Sequence, residues 1–168
     1  MKYSSIVSST IALTVGLLVA GSAQAVSTAS AASADIVAAL AISNTVGLDF
    51  GQIVPSAVIG TVAVGTDGAR TPAGGVTLSN GGAPTAASFD VTGGANSTYS
   101  ITLPTSITIT GTGAPMTVDA FVSNPAGAAG QLSGSGTETL LVGATLNIGV
   151  SQVAGAYAGT FDVTVVYN

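Results

Sequence analysis

The sequence predicts an all-β domain, a sandwich or barrel of short antiparallel strands. Three observations carry this. In segment after segment, apolar residues alternate with Thr, Ser, Asp or Asn, the period of two that marks a half-buried strand. Gly, Pro, Asn and Asp interrupt these runs roughly every 8–12 residues, the turn spacing of sandwiches and barrels. Beyond residue 25, no segment shows the 3.6-residue apolar spacing of an amphipathic helix.

The clearest strand is the last, Thr160 to Tyr167, where Phe161, Val163, Val165 and Tyr167 alternate with Thr160, Asp162 and Thr164. The first candidate is Asp35 to Ile42. It places Ile36, Ala38, Leu40 and Ile42 on one face, and its β-branched residues favour extension over an Ala-rich helix. Leu48 to Val54 is expected to stop at Pro55. Val58 to Val64 runs into Gly65-Thr66-Asp67-Gly68, a turn signature. Gly75 to Ser79 leads to the tight loop Asn80-Gly81-Gly82.

Ala87, Phe89 and Val91 share a face, as do Tyr99, Ile101 and Leu103 before Pro104. Ile107 to Thr110 is short and closed by Gly111-Thr112-Gly113. Met116, Val118, Ala120 and Val122 alternate with Thr117, Asp119 and Phe121. Asn124 to Gly136 reads as a small-residue loop. Leu140, Val142, Ala144, Leu146 and Ile148 form the face of a longer strand. A transmembrane β-barrel fits poorly: it usually needs aromatic girdles and a polar lumen, whereas the chain after residue 25 has only Tyr99, Tyr157, Tyr167, Phe50, Phe89, Phe121 and Phe161 and almost no charge.

The N-terminus reads as a secretory signal. Lys2 supplies the basic start and Ile11 to Ala20 the apolar stretch, which is too short to span a bilayer. Ala23 and Ala25 form the small-x-small site, with cleavage before Val26. Three segments are therefore expected: a signal peptide over 1–25, a flexible stretch over 26–34 and one β-sandwich domain over 35–168. The expected location is the periplasm, the cell surface or the extracellular space.

From residue 26 onward, seven carboxylates face one guanidinium, Arg70, a formal charge of −6. One arginine and no lysine cannot neutralise a run of phosphates, so nucleic acid is not an expected partner. Anionic lipid headgroups are disfavoured for the same reason, and no stable membrane insertion is expected. Charged residues make up 5% of the chain and hydrophobic ones 47%. A surface with so little charge and so much strand favours association between chains.

The chain has no His and no Cys. Ser-His-Asp and Cys-His catalysis are excluded, as is a zinc site built on those ligands. Paired carboxylates of the glycosidase kind would have to come from Asp49, Asp90, Asp119, Glu138 and Asp162, each better explained as an outward position on a strand or turn. Asp67-Gly68 lacks the spacing of a calcium loop. Gly93-Gly94 and Gly111-x-Gly113 precede no helix that could complete a phosphate site. No enzymatic activity, cofactor or metal is expected.

Four stretches carry a family resemblance: Leu48-Asp49-Phe50-Gly51, Met116-Thr117-Val118, Gly136 to Leu146, and Gly155-Ala156-Tyr157-Ala158-Gly159-Thr160-Phe161-Asp162-Val163-Thr164-Val165-Val166-Tyr167. In this order they resemble the bacterial "domain of unknown function 4402" family across nearly the whole chain after residue 25. More distantly, Leu-Asp-Phe-Gly and the ending resemble spore coat protein U domains, the subunits of archaic chaperone–usher pili. That resemblance implies an immunoglobulin-like sandwich with Greek-key connections that lacks its last strand and receives one from the next subunit.

By resemblance, Phe161, Val163, Val165 and Tyr167 border the receiving groove. The donor would lie within Val26 to Leu40. Its useful apolar side chains would be Ile36, Ala38 and Leu40, because Val26 is the only large apolar residue of Val26 to Ala34. The implied partners are further copies or related subunits, a periplasmic chaperone and an outer-membrane usher.

Two functions stand as expectations. The first is a non-catalytic structural subunit of a surface fibre or pilus, assembled by strand donation between chains. The second is a monomeric secreted binding or adhesion module, self-completed by its N-terminal segment. Such a module could take polysaccharide, with Tyr99 and Tyr157 as the candidate aromatics.

Overall fold

The computed structural model describes residues 24–127 and 129–168. The signal segment up to Ala23 lies outside them. Ala25 and Val26 are exposed and in no regular element. Ile36–Asn168 forms one compact unit. Residues 24–35 belong to a separate unit and carry no strand.

The compact unit is all-β and antiparallel, and its strands run in the order β1 (Ala41–Val46), β2 (Ile53–Val64), β3 (Arg70–Leu78), β4 (Ala87–Thr92), β5 (Thr98–Thr102), β6 (Ser106–Gly111), β7 (Met116–Asn124), β8 (Gly130–Gln131), β9 (Thr137–Ile148), β10 (Tyr157–Ala158) and β11 (Thr164–Tyr167). The larger sheet has the order β1-β4-β9-β7-β6-β10, with the β2–β3 hairpin also attached to β9. The smaller sheet is β11-β5-β8. The connections β4–β5, β5–β6, β7–β8, β8–β9 and β10–β11 pass from one sheet to the other, the long-range connectivity of a sandwich.

The twelve-residue β9 organises the larger sheet. Along one edge, Thr137–Val142 pairs with β4 and Ala144–Ile148 pairs with β2. Gly143 sits at the handover, where a Cβ would run into the Val64 carbonyl oxygen. The other edge pairs with β7 between Leu141 and Asn147, interrupted by a bulge between Asp119 and Val122.

That bulge changes the face expected for β7. Ala120 takes φ 47° and the extra residue reverses the alternation. Phe121 turns inward, whereas Val122 is half exposed. The ring touches both apolar clusters, so burying it outweighs keeping Ala120 and Val122 inside.

Four further strands differ from the sequence reading. β3 begins at Arg70 rather than Gly75, and β11 begins at Thr164 rather than Thr160. β2 runs through Pro55, where a strand end was expected. Its first residues pair only with β3, so the missing N–H costs no ladder bond on the open side. The first strand begins at Ala41 rather than Asp35. Leu40 and Ile42 nonetheless keep their shared face and pack on the core.

The apolar interior forms two clusters. In the first, Phe89 and Val91 of β4 and Leu140 and Val142 of β9 meet Tyr99 and Ile101 of β5 and Leu132. The smaller sheet covers this cluster, and Val165 and Tyr167 of β11 close its side. The second consists of Val62, Met116, Val118, Ala144, Leu146 and Ile148, all on the larger sheet. No strand of the smaller sheet lies over it among the described residues.

Candidate functional site: an open apolar groove

The second cluster forms the floor of a groove of about 880 Å³. Ile107 and Ile109 of β6, Met116 and Val118 of β7, and Leu146 and Ile148 of β9 line it. One wall is the chain from Gly47 to Pro55, entering β2. The other runs from Gln152 to Phe161, through β10.

Among the described residues, both walls present stretches of backbone with one edge free of a strand neighbour. Ile53–Pro55 pairs with β3 on its outer side, and β9 joins β2 only from Gly60 onward. Residues 159–163 lie between the ladders of β10 and β11 and belong to neither. β11 itself is paired to β5 along one edge and has no strand neighbour on the other among the described residues. An apolar floor between two unpaired edges fits an extended peptide, whose backbone can bond the walls while alternate side chains enter the floor.

The first wall is held from outside. Asp49 exchanges backbone hydrogen bonds with Thr85 at 3.0 Å each way. The Asp49 carboxylate accepts the Gly51 N–H at 2.6 Å, which closes the turn of Leu48-Asp49-Phe50-Gly51. The Arg70 guanidinium donates to the carbonyls of Phe50 (3.2 Å), Gln52 (3.1 Å) and Ser79 (3.0 Å). Arg70 thus works as a three-carbonyl clamp that fixes the wall, suited to its planar fork. Sequence reasoning had given it no role; its being the only strong base after residue 25 was the available signal.

Of the four residues expected to border the groove, Phe161 lines it. Its ring also meets Phe121 at 5.1 Å and Phe89 edge-on at 6.2 Å. Val163, Val165 and Tyr167 pack against the first cluster, and Val165 and Tyr167 pair with Ile101 and Tyr99.

The residues expected to donate a strand are divided. Ile36 is 97% exposed. Leu40 is half-buried against the first cluster. Ala38 is tied to the chain's own end: the Tyr167 hydroxyl donates to its carbonyl at 2.8 Å and accepts the Gly94 N–H at 2.6 Å. Gly93 permits this latch, because a Cβ there would strike the same hydroxyl.

The candidate aromatics for sugar binding are already engaged. Tyr99 is fully buried and donates to Glu138 Oε2 at 2.6 Å; the same oxygen accepts the Gln131 N–H at 3.0 Å. Burial first, then this hydrogen bond and the Glu138 charge, push the Tyr99 hydroxyl's pKa well above its ordinary value. Tyr157 is half-buried and donates to the Val153 carbonyl at 2.8 Å. Among the described residues, no three His, Cys, Asp or Glu side chains gather where they could hold a metal. No helix there is long and apolar enough to cross a membrane.

The family described as "Domain of unknown function (DUF4402)" matches residues 40–167, which take in both walls and the floor of the groove. The chain belongs to that family. No curated protein and no solved structure matches it.

Proposed function

We propose that this chain is an exported, non-catalytic structural subunit of a surface fibre or pilus, joined to its neighbours by β-strand donation into the groove. The observation that carries the reading is the groove beside the second cluster, bounded by two backbone edges that lack strand partners among the described residues. A donated strand would bury alternate side chains, each stabilising the junction by roughly 1.5–3 kcal/mol when large and aliphatic. It would also give Ile53–Pro55 and residues 159–163 a ladder. A head-to-tail junction of this kind is heterologous and grows into open filaments. The signal-like N-terminus and the sparse charge support the same reading, and the distant likeness to archaic pilus subunits suggests a periplasmic chaperone and an outer-membrane usher as helpers.

The test is gel electrophoresis in SDS of the protein from its native envelope, unheated and boiled. An unheated ladder that collapses to one band on boiling is expected, because strand-exchanged junctions dissociate slowly. Ile109→Asp, which puts a charge on the groove floor, should remove the ladder while the monomer band persists. A single monomer band in both lanes for the unaltered protein would refute strand donation.

A further inference from the structure

We infer that Asn80 is a site of spontaneous covalent change: its side-chain amide closes on the Gly81 backbone nitrogen, reopens as isoaspartate, and so releases Gln52 of the first groove wall. The inference is independent of what the groove holds.

The choice among the asparagines is the first argument. The chain has six, and Asn80 alone precedes a glycine. Ring closure needs the next backbone nitrogen to reach the side-chain carbonyl carbon, and a Cβ on the following residue obstructs that approach. Asn124 precedes Pro125, which has no N–H to lose. Asn44 donates from its side chain to the carbonyls of Val46 (2.8 Å) and Ser88 (3.1 Å), and Asn147 to that of Thr117 (3.3 Å), so both are tied to strands. Asn96 is followed by Ser97, whose N–H donates to the Gly94 carbonyl at 3.2 Å. Asn168 has no following residue in the chain.

The loop itself is the second argument. Asn80 is exposed, two residues beyond the end of β3, and Gly82 takes φ 81°. The Gly81 N–H is in no ladder; it donates to the Ser79 hydroxyl at 3.3 Å, a long bond within the same loop. The turn at Asp67-Gly68 shows the contrast. There the Gly68 N–H donates to the Gly65 carbonyl at 2.9 Å, and the Asp67 carboxylate accepts the Ala69 N–H at 3.0 Å, so both reacting groups are held apart.

The chemistry needs only water. The Gly81 nitrogen attacks Asn80 Cγ, the new C–N bond forms, and the Cγ–Nδ2 bond breaks. Nδ2 leaves as ammonia with the proton that Gly81 gives up, and a five-membered imide remains. Water then adds to either imide carbonyl. Opening at Cγ gives aspartate; opening at the main-chain carbonyl gives isoaspartate, in which the chain runs through Cβ and Cγ.

The consequence is local. Isoaspartate inserts one extra carbon into the main chain between residues 80 and 81. The Ser79 bonds precede the insertion: its N–H donates to the Gln52 carbonyl at 3.1 Å, and its carbonyl accepts from Arg70 at 3.0 Å. The Gly81 carbonyl follows it, and that group accepts the Gln52 N–H at 3.2 Å. The insertion therefore carries the Gly81 carbonyl away from Gln52, which lines the groove, while Ser79 stays in place.

The experiment ages the chain from Val26 to Asn168 in mildly alkaline buffer at physiological temperature. Peptide mass mapping follows the exchange of –NH2 for –OH at each asparagine, an isoaspartate-specific carboxyl methyltransferase reports the isomer, and amide hydrogen exchange is read at Gln52 and Ser79 before and after. Asn80 is expected to convert at least about tenfold faster than the other five. The aged protein should exchange faster at Gln52 and unchanged at Ser79. Asn80→Gln, aged alongside, should keep its Gln52 amide as it was. Freshly prepared Asn80→Asp, which carries the charge without the extra main-chain carbon, should match the unaged protein.

Conversion of Asn80 no faster than that of the other asparagines would overturn the inference. So would isoaspartate at residue 80 with the Gln52 amide unchanged, or the same acceleration in aged Asn80→Gln. Acceleration in fresh Asn80→Asp would overturn it as well, because charge and not chain lengthening would then release the wall.

Discussion

Along β9, Leu140 and Val142 face the first apolar cluster, and Leu146 and Ile148 face the second. One strand thus contributes the same kind of side chain to two different fates. Around Leu140 the smaller sheet brings Tyr99, Ile101 and Leu132 across, and the cluster is closed. Around Ile148 nothing from that sheet arrives, and the residues become a floor. A period of two therefore states which face of a strand is apolar, and not whether the chain supplies its cover. The cover of the first cluster comes from distant segments, residues 99–101, 132 and 161–167, whereas Leu48, Phe50, Phe121 and Tyr157 pack against the second beside the groove.

The largest contrast should come from truncating each cluster. Leu140→Ala removes a fully buried side chain and should cost about 2–5 kcal/mol of stability in urea denaturation. Ile109→Ala, at a partly buried position lining the groove, should cost under about 1 kcal/mol in the isolated chain. Equal losses would mean that the groove is already filled.

A pH series separates the halves next. Tyr99 lies in the closed cluster, and its pKa is raised on folding. Above about pH 10 the unfolded chain loses this proton while the folded chain keeps it, so stability should fall by about 1.4 kcal/mol per pH unit until the folded tyrosine ionises. Below that pH the contribution is fully present. Tyr99→Phe should flatten this alkaline slope, read by denaturation between pH 9 and pH 11.

A smaller effect tests the latch between the chain's two ends. Tyr167→Phe leaves the buried Gly94 N–H without its acceptor and should cost roughly 1–2 kcal/mol. Its signature is local: faster proteolysis around residues 36–40, with the exchange of Leu140 and Val142 amides little changed.

Much of the fold was legible because alternation leaves a clear trace. The burial of Phe161, Val163, Val165 and Tyr167 follows the expected period even over residues 159–163, where no ladder forms. The turn at Gly65-Thr66-Asp67-Gly68 closes the β2–β3 hairpin, with Gly65 donating to the Ala69 carbonyl at 2.9 Å. The β7 bulge was not legible, since Ala120 carries no mark of its positive φ and only the fit of Phe121 between the clusters decides it.

The groove was legible in part. The C-terminal segment drew attention through its aromatics and its resemblance, and Phe161 does line the site. The floor residues Ile107, Ile109, Met116, Leu146 and Ile148 read simply as strand faces, because openness depends on the absence of a cover, which no local pattern encodes. The Arg70 clamp depends on the carbonyls of Phe50, Gln52 and Ser79 converging, and that convergence arises only in the folded chain.

Amide hydrogen exchange on the isolated chain from Val26 to Asn168 distinguishes a closed half from a half with free strand edges. Slow exchange is expected at Val91, Leu140 and Val142, and fast exchange at Ile53 and along residues 160–163, whose edges lack strand partners among the described residues. Slow exchange at both groove walls, in the monomer and without any added strand, would contradict the free edges.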